Sequence, residues 1–203
     1  MRTIIITHPT PKDIRSFFTF KDDDYIIAVD QAVMACYKQR LKIDLAVGDF
    51  DSLQNKGVLE QLNVVILNQI KDVTDTYQAL VEANNLEPSD LILIGGFGGN
   101  RSEHFLANLM YFHEFPQLIM MNETTTIQML ADETKTIITD RYISLFGYPE
   151  GTVTLSGFQY DLEEYPLKLF NPIGISNELK KEEGHIHVKG HVLLILSEKE
   201  TKK

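Results

Sequence analysis

The sequence has no tryptophan and a single cysteine, Cys36. One thiol cannot close an intramolecular disulfide, so the fold must rest on its apolar core, and a reducing, cytoplasmic setting is expected. Cys36 lies in an apolar stretch of helical character and is read as a core residue, not a reactive thiol. Long hydrophobic runs are also missing. No stretch approaches the roughly 20 apolar residues of a membrane span. The run at residues 3–7 is far too short for the apolar region of a signal peptide. Positive charge is scarce: 19 Lys and Arg stand against 29 Asp and Glu, a net charge of −10. Such a surface disfavours nucleic acid and anionic membranes as partners. A polyphosphate ligand would have to be met by recruited cations or by a few locally placed basic residues.

What is present is an ordinary supply of core material, 43% hydrophobic residues in 203, enough for one large domain or two small ones. The two halves are patterned differently. Up to about residue 122, short aliphatic runs (residues 3–7, 25–29, 45–47, 64–67, 91–94 and 118–121) alternate with helical patterns. The runs are apolar on both faces, as strands covered on both sides are. One helix is expected from near Asp72, with Val73, Tyr77 and Leu80 on a face. Another is expected from near Ser102, with Phe105, Leu109 and Phe112. Alternation of this kind implies a mostly parallel sheet with helices on both faces. From about residue 124 the helical patterns stop. Tyr148-Pro149-Glu150-Gly151 reads as a turn, and Lys189-Gly190 as a tight hairpin turn between two strands. The second half is therefore expected to be a small antiparallel sandwich, with a boundary near residue 123.

Four clusters carry chemistry. Gly48-Asp49-Phe50-Asp51-Ser52 follows the third aliphatic run. In an extended segment Asp49 and Asp51 would share a face, about 6.5–7 Å apart at Cα, a spacing suited to hard cations. In Lys71-Asp72-Val73-Thr74-Asp75, Asp72 is placed as a helix N-cap with Asp75 three residues on, and Lys71 offers a positive charge. Capping alone would account for the two carboxylates, but capping and ligand binding are compatible. Residues 95–104, Gly-Gly-Phe-Gly-Gly-Asn-Arg-Ser-Glu-His, join a strand to a helix. Their glycines let backbone approach a ligand, the helix start offers free N–H groups, and Arg101 is a bidentate phosphate donor. The run is neither a Walker A loop nor a dinucleotide fingerprint. Asp30 ends the second run. In a parallel sheet all these points fall along one edge, so Asp30, Asp49, Asp51, Asp72, Asp75 and Arg101 converge. Carboxylates around a polyphosphate make sense with Mg²⁺ between them. His185, His187 and His191 resemble a metal set. With a hairpin at Lys189-Gly190, however, His191 faces away from the other two, which leaves surface histidines.

Assembled in order, these motifs resemble the thiamine pyrophosphokinase family over nearly the whole chain: Asp30, G-D-F-D-S at 48–52, K-D-x-T-D at 71–75, and G-x-x-G-x-R-x-D-H at 96–104 followed by L-x-N-L at 106–109. In the second half they are joined by G-x-x-Y-x-L at 157–162 and S-N-E at 176–178. The resemblance implies an α/β fold, with a Rossmann-like, mostly parallel ATP-binding catalytic domain at 1–123 and an antiparallel β-sandwich that binds thiamine at 124–203. It implies a homodimer with the active site at the subunit interface, and Mg²⁺-dependent transfer of a pyrophosphoryl group from ATP to thiamine. Asp30, Asp49, Asp51 and Asp75 would hold the metal, with Asp51 or Asp75 as base. Arg101 would act on the transferred group. Lys71, Asp72, Gly98, Gly99, Glu103 and His104 would line the nucleotide site, and Tyr160, Ser176 and Asn177 would contact thiamine. The chain departs from the family pattern at Gln31 (usually Gly), Asn100 (commonly Gly) and Glu103 (usually Asp), and has Tyr160 where some members carry Trp. A nucleotide hydrolase, or a non-catalytic sensor of nucleotide or thiamine, is the alternative.

Overall fold

Branched aliphatic side chains favour extended backbone, and each aliphatic run of the first half is a strand. The computed structural model describes residues 1–51, 53, 55–68, 72–171 and 173–200, and the chain divides into two units, Met1–Glu123 and Thr124–Lys203. In the first unit lie β1 (Arg2–Thr7), β2 (Tyr25–Val29), β3 (Leu45–Gly48), β4 (Val64–Ile66), β5 (Asp90–Gly95) and β6 (Leu118–Met121). They pair in the order β6-β5-β1-β2-β3-β4, every pair parallel. Parallel neighbours need crossovers, and α1 (Ala32–Lys38), α2 (Asp75–Asn84) and α3 (Ser102–Met110) lie in three of them.

Register decides which face each side chain serves. Ile4 stands opposite Ile26 and Ile92, and Ile6 opposite Ala28 and Ile94. These residues share one core with Ala32, Val33 and Cys36 of α1. The intervening Ile5, Ile27 and Leu93 are fully buried as well. By strand alternation they belong to the opposite face, and α2 packs against β1, β2 and β3 with Thr76, Ala79, Leu80 and Ala83 buried. Each such Ile or Leu contributes about 1.5–3 kcal/mol by leaving water. The chain runs from β1 through β2 and β3 to β4 on one side, then crosses back to β5 and β6 on the other. Sheet order thus reverses at β1, and ligands bind beyond the carboxyl ends of strands at such a reversal.

The second unit holds β7 (Thr125–Ala131), β8 (Thr134–Ile137), β9 (Tyr142–Ser156), β10 (Leu162–Lys168), β11 (Gly174–Asn177) and β12 (Gly184–Ser197). All pairings are antiparallel: β10-β9-β12-β7, with β11 on β9 and β8 on β12. Both expected turns are overturned here. β12 runs straight through Lys189-Gly190, and β9 through Tyr148-Pro149-Glu150-Gly151. The two interruptions meet each other. Gly147 pairs with Val192 and Gly151 with Gly190, so three residues of β9 stand opposite His191 alone. Turn-forming residues therefore build a β-bulge in a long ladder rather than a reversal. With the hairpin goes the argument that His191 faces away. His185, His187 and His191 are all exposed, and the Nδ1 atoms of His185 and His187 meet the hydroxyls of Thr136 and Thr134 on β8 at 3.1 and 2.9 Å.

Candidate active site

At the carboxyl edge of the parallel sheet a cavity of about 650 Å³ is lined by residues from four strand ends and two helix starts. Thr7 ends β1 with His8 and Pro9 just after it, and Asp30 follows β2. Asp49 follows β3, Gly98 and Gly99 follow β5, Thr74 is the N-cap of α2 with Asp75 and Thr76 in its first turn, and Arg101 is the N-cap of α3 with His104 in its first turn. The volume falls in the range of small-molecule sites.

Local backbone chemistry places each carboxylate. Asp30 adopts φ 43°, a left-handed angle that Asp tolerates. Its N–H donates to the Val47 carbonyl at 2.9 Å. A Cβ on Gly48 would come within 3.2 Å of the Asp30 backbone, so the absence of a side chain at position 48 lets β2 and β3 deliver Asp30 and Asp49 side by side. Asp75 is the first residue of α2, where the helix dipole favours a carboxylate. The N-cap of α2 is Thr74, not Asp72: its hydroxyl accepts the Tyr77 N–H at 3.0 Å, while Asp72 and Val73 are exposed before the helix. The glycine loop is held from below by Asn108, whose amide donates to the Gly96 carbonyl at 3.3 Å. Gly96 has φ 74°, and a Cβ there would strike the Asn108 amide at 2.6 Å.

Of the residues singled out in the first unit, Asp30, Asp49, Asp75, Gly98, Gly99, Arg101 and His104 line this one cavity. Asp51, Asp72 and Glu103 are exposed and outside its lining, and Lys71 and Ser52 lie outside the described residues. Asp51 departs because its segment is not extended. Phe50 turns left-handed at φ 54° and buries its ring in the core, 2% exposed, and the Asp51 N–H folds back on Asp49 Oδ1 at 3.3 Å. Glu103 pairs with Arg101 (Nε–Oε1 3.1 Å), both side chains more than 60% exposed. Its carboxyl is held below the usual range by its backbone N–H and then by the Arg101 guanidinium. An exposed pair of this kind is readily exchanged for a phosphate. Sequence reasoning passed over Thr7, His8, Pro9 and Thr76. The signal for the first three was available, since they follow a strand at the same edge as Asp30.

In the second unit Tyr160, Ser176 and Asn177 are drawn together. The buried Asn177 amide is spent on backbone: Oδ1 accepts from the N–H of Tyr160 (3.2 Å) and Glu178 (2.9 Å), and Nδ2 donates to the Tyr160 carbonyl at 2.8 Å. Tyr160 itself is 73% exposed. Ser176 is exposed at φ 54°, its N–H donating to Ser144 Oγ at 3.0 Å.

Among the described residues, no three His, Cys, Asp or Glu side chains stand close enough together to grip one metal ion. By donor chemistry the lining suits a hard cation, since three carboxylates from three elements face one cavity. No helix among the described residues is long and apolar enough to cross a membrane.

A family model for the catalytic domain of thiamin pyrophosphokinase matches residues 19–127, and one for its vitamin B1 binding domain matches residues 124–193. Together with the mixed α/β fold, these make the protein an enzyme of the transferase class, a catalytic unit followed by a second matched domain. The thiamine pyrophosphokinase of Bacillus subtilis (strain 168) is 30% identical over 97% of this chain and 99% of its own. The crystal structure of the Bacillus subtilis enzyme superposes with a TM-score of 0.83 at 27% identity, covering 98% of this chain and 100% of that one. A thiamin pyrophosphokinase family protein from Enterococcus faecalis gives 0.83 at 25% identity, with coverage of 98% and 100%. The chain belongs to the thiamine pyrophosphokinase family.

Proposed function

We propose that this enzyme transfers a pyrophosphoryl group from ATP to the hydroxyethyl group of thiamine, giving thiamine diphosphate and AMP, with Mg²⁺ required. The first unit is read as a Rossmann-like nucleotide-binding domain and the second as a thiamine-binding β-sandwich. The observation that carries the proposal is the single cavity shared by Asp30, Asp49, Asp75, the glycine loop and Arg101. An array of carboxylates alone would repel ATP. Asp30, Asp49 and Asp75 would hold Mg²⁺ only jointly with phosphate oxygens of ATP, since among the described residues no three side chains grip an ion alone, and the ion when bound would neutralise phosphate charge.

The chain's own groups do the rest. The loop at Gly98 and Gly99 and the first turn of α3 offer N–H groups to phosphate oxygens. Arg101 releases Glu103 and takes up charge that develops on the transferred group. The thiamine hydroxyl oxygen attacks the β-phosphorus, the bond from that phosphorus to the oxygen bridging the α-phosphorus breaks, and AMP leaves with the bridging oxygen. The hydroxyl proton passes to a carboxylate. Asp75 is the candidate, since it lines the cavity and Asp51 does not. Catalysis then comes mainly from positioning and electrostatics. Tyr160 presents an exposed ring on which a thiazolium cation can stack. Ser176 offers a polar contact, and Asn177 holds the Tyr160 segment in place.

A homodimer that completes the site at its subunit interface, working in the cytoplasm, fits this reading. Support for an interface comes from Phe170, Ile173 and Ile175, which stand 94%, 57% and 50% exposed on the second unit. The test is to mix protein, ATP, Mg²⁺ and thiamine and resolve the products. Thiamine diphosphate and AMP should appear in equal amounts and cease on chelation with EDTA. AMP released at the same rate without thiamine would make the protein a hydrolase instead. Asp49→Asn should lower kcat by about 100-fold or more with an unchanged melting temperature. Near-normal turnover in that variant would remove the carboxylate argument.

A further inference from the structure

We propose that Tyr111 is a positioning residue for Asp75, acting through Thr74; the inference rests on the role given to Asp75 above. Tyr111 follows α3 directly, in a short 3-10 turn, Tyr111–His113, and lies outside the cavity lining. Its hydroxyl meets Thr74 Oγ1 at 2.7 Å. The same Thr74 oxygen accepts the Tyr77 N–H and so caps α2, fixing the backbone from which Asp75 projects. On the far side of Asp75, Thr76 Oγ1 meets Thr7 Oγ1 at 3.1 Å, both side chains buried.

Asp75 is therefore flanked in sequence by two threonines, each tied by its hydroxyl to a different element. Thr76 is tied to β1 at the floor of the cavity, and Thr74 to the segment behind α3. The Tyr111 ring is itself fixed. It packs on the Tyr77 ring with centroids 5.6 Å apart, a ring contact in which the bond from the Tyr77 hydroxyl to the Glu114 carboxylate at 3.0 Å takes no part. The hydroxyl of Tyr111 does what a cap alone cannot: it fixes the rotation of the first turn of α2 against the end of α3, the helix that carries His104 and that Arg101 precedes as N-cap. A carboxylate and a phosphate-binding arginine on two helices must keep a fixed separation, because misplacement by about 1 Å costs on the order of 100-fold in rate.

The test compares four full-length variants with the parent enzyme, measuring thiamine diphosphate formation and thermal melting. Tyr111→Phe keeps the ring and removes only the hydroxyl. It should lower kcat about tenfold while KM for ATP and for thiamine stays within about twofold. Tyr77→Phe removes the bond to Glu114 from the same aromatic cluster and should leave kcat at the parent value. Thr74→Val should lower kcat at least as far as Tyr111→Phe, and the double variant should be no slower than Thr74→Val alone, because both changes break one connection. The inference is overturned if Tyr111→Phe turns over like the parent, if Tyr77→Phe loses as much as Tyr111→Phe, or if the two losses multiply. A parent enzyme that makes no thiamine diphosphate overturns the proposed function, and this inference with it.

Discussion

Asp24 puts a carboxylate inside the first unit with its side chain only 1% exposed, and Arg2 meets it with two N–H donors at 2.6 and 2.8 Å. Burial pushes that carboxyl upward, but the Arg2 guanidinium and the Lys21 N–H outweigh it and hold the group below its usual range. A carboxylate depressed on folding stabilises the native state above its unfolded value near 3.9, and that stability is lost as pH falls through the folded value. Arg2→Ala leaves the buried charge alone and should cost about 3 kcal/mol in chemical denaturation at pH 7. Cys36 runs the other way. Burial lifts its thiol to about 12, so it stays neutral in the native protein, and its contribution fades as pH climbs from the unfolded value near 8.5 toward the folded one. At pH 8 an aromatic disulfide reagent should label native protein slowly and unfolded protein at once; equal rates would place Cys36 at the surface. The reading of Cys36 as core needed only its apolar neighbours. The expectation that an extended segment puts Asp49 and Asp51 on one face failed at this scale, because one buried ring, Phe50, preferred the core to an extended backbone.

Among elements, the strands of the first unit were legible to within a residue or two, because a sheet covered on both faces leaves unbroken aliphatic runs. Helix starts were less so. Asp72 and Thr74 are both good caps by residue type, and only the packing of Thr76, Ala79, Leu80 and Ala83 on the sheet selects the start that places Asp75 in the first turn. β9 and β12 were the hardest. A glycine or proline inside a long strand gives the same local signal as a turn, and whether it marks a turn or a bulge depends on what lies opposite. Gly147 shows how tightly this bulge is built: a Cβ there would lie 2.2 Å from the Leu167 carbonyl oxygen. Gly147→Ala should therefore destabilise the protein by about 1–3 kcal/mol, read as a lower denaturant midpoint. An unchanged midpoint would mean that β10 moves aside freely.

For the whole molecule, a net charge of −10 makes unassisted binding of a polyphosphate unfavourable and makes self-association depend on apolar contact. If Phe170 serves the proposed subunit interface, Phe170→Asp should shift sedimentation from dimer to monomer with the far-ultraviolet spectrum intact; an unaltered dimer would move the interface elsewhere. The ordered set of motifs was enough, without coordinates, to give the resemblance to the family; that the motifs of the first half meet follows separately, because strand ends share one edge of a parallel sheet. The sequence by itself determined the parallel first half, the acidic charge balance and the residue types at that edge, since aliphatic runs and turn chemistry act over a few neighbouring residues. Only the tertiary structure decided which carboxylates share the cavity, which threonine caps α2, and that β9 and β12 run unbroken. Those outcomes depend on contacts between residues far apart in the chain, such as Asp30 against Gly48, Thr7 against Thr76 and Gly147 opposite Val192, which no local pattern encodes.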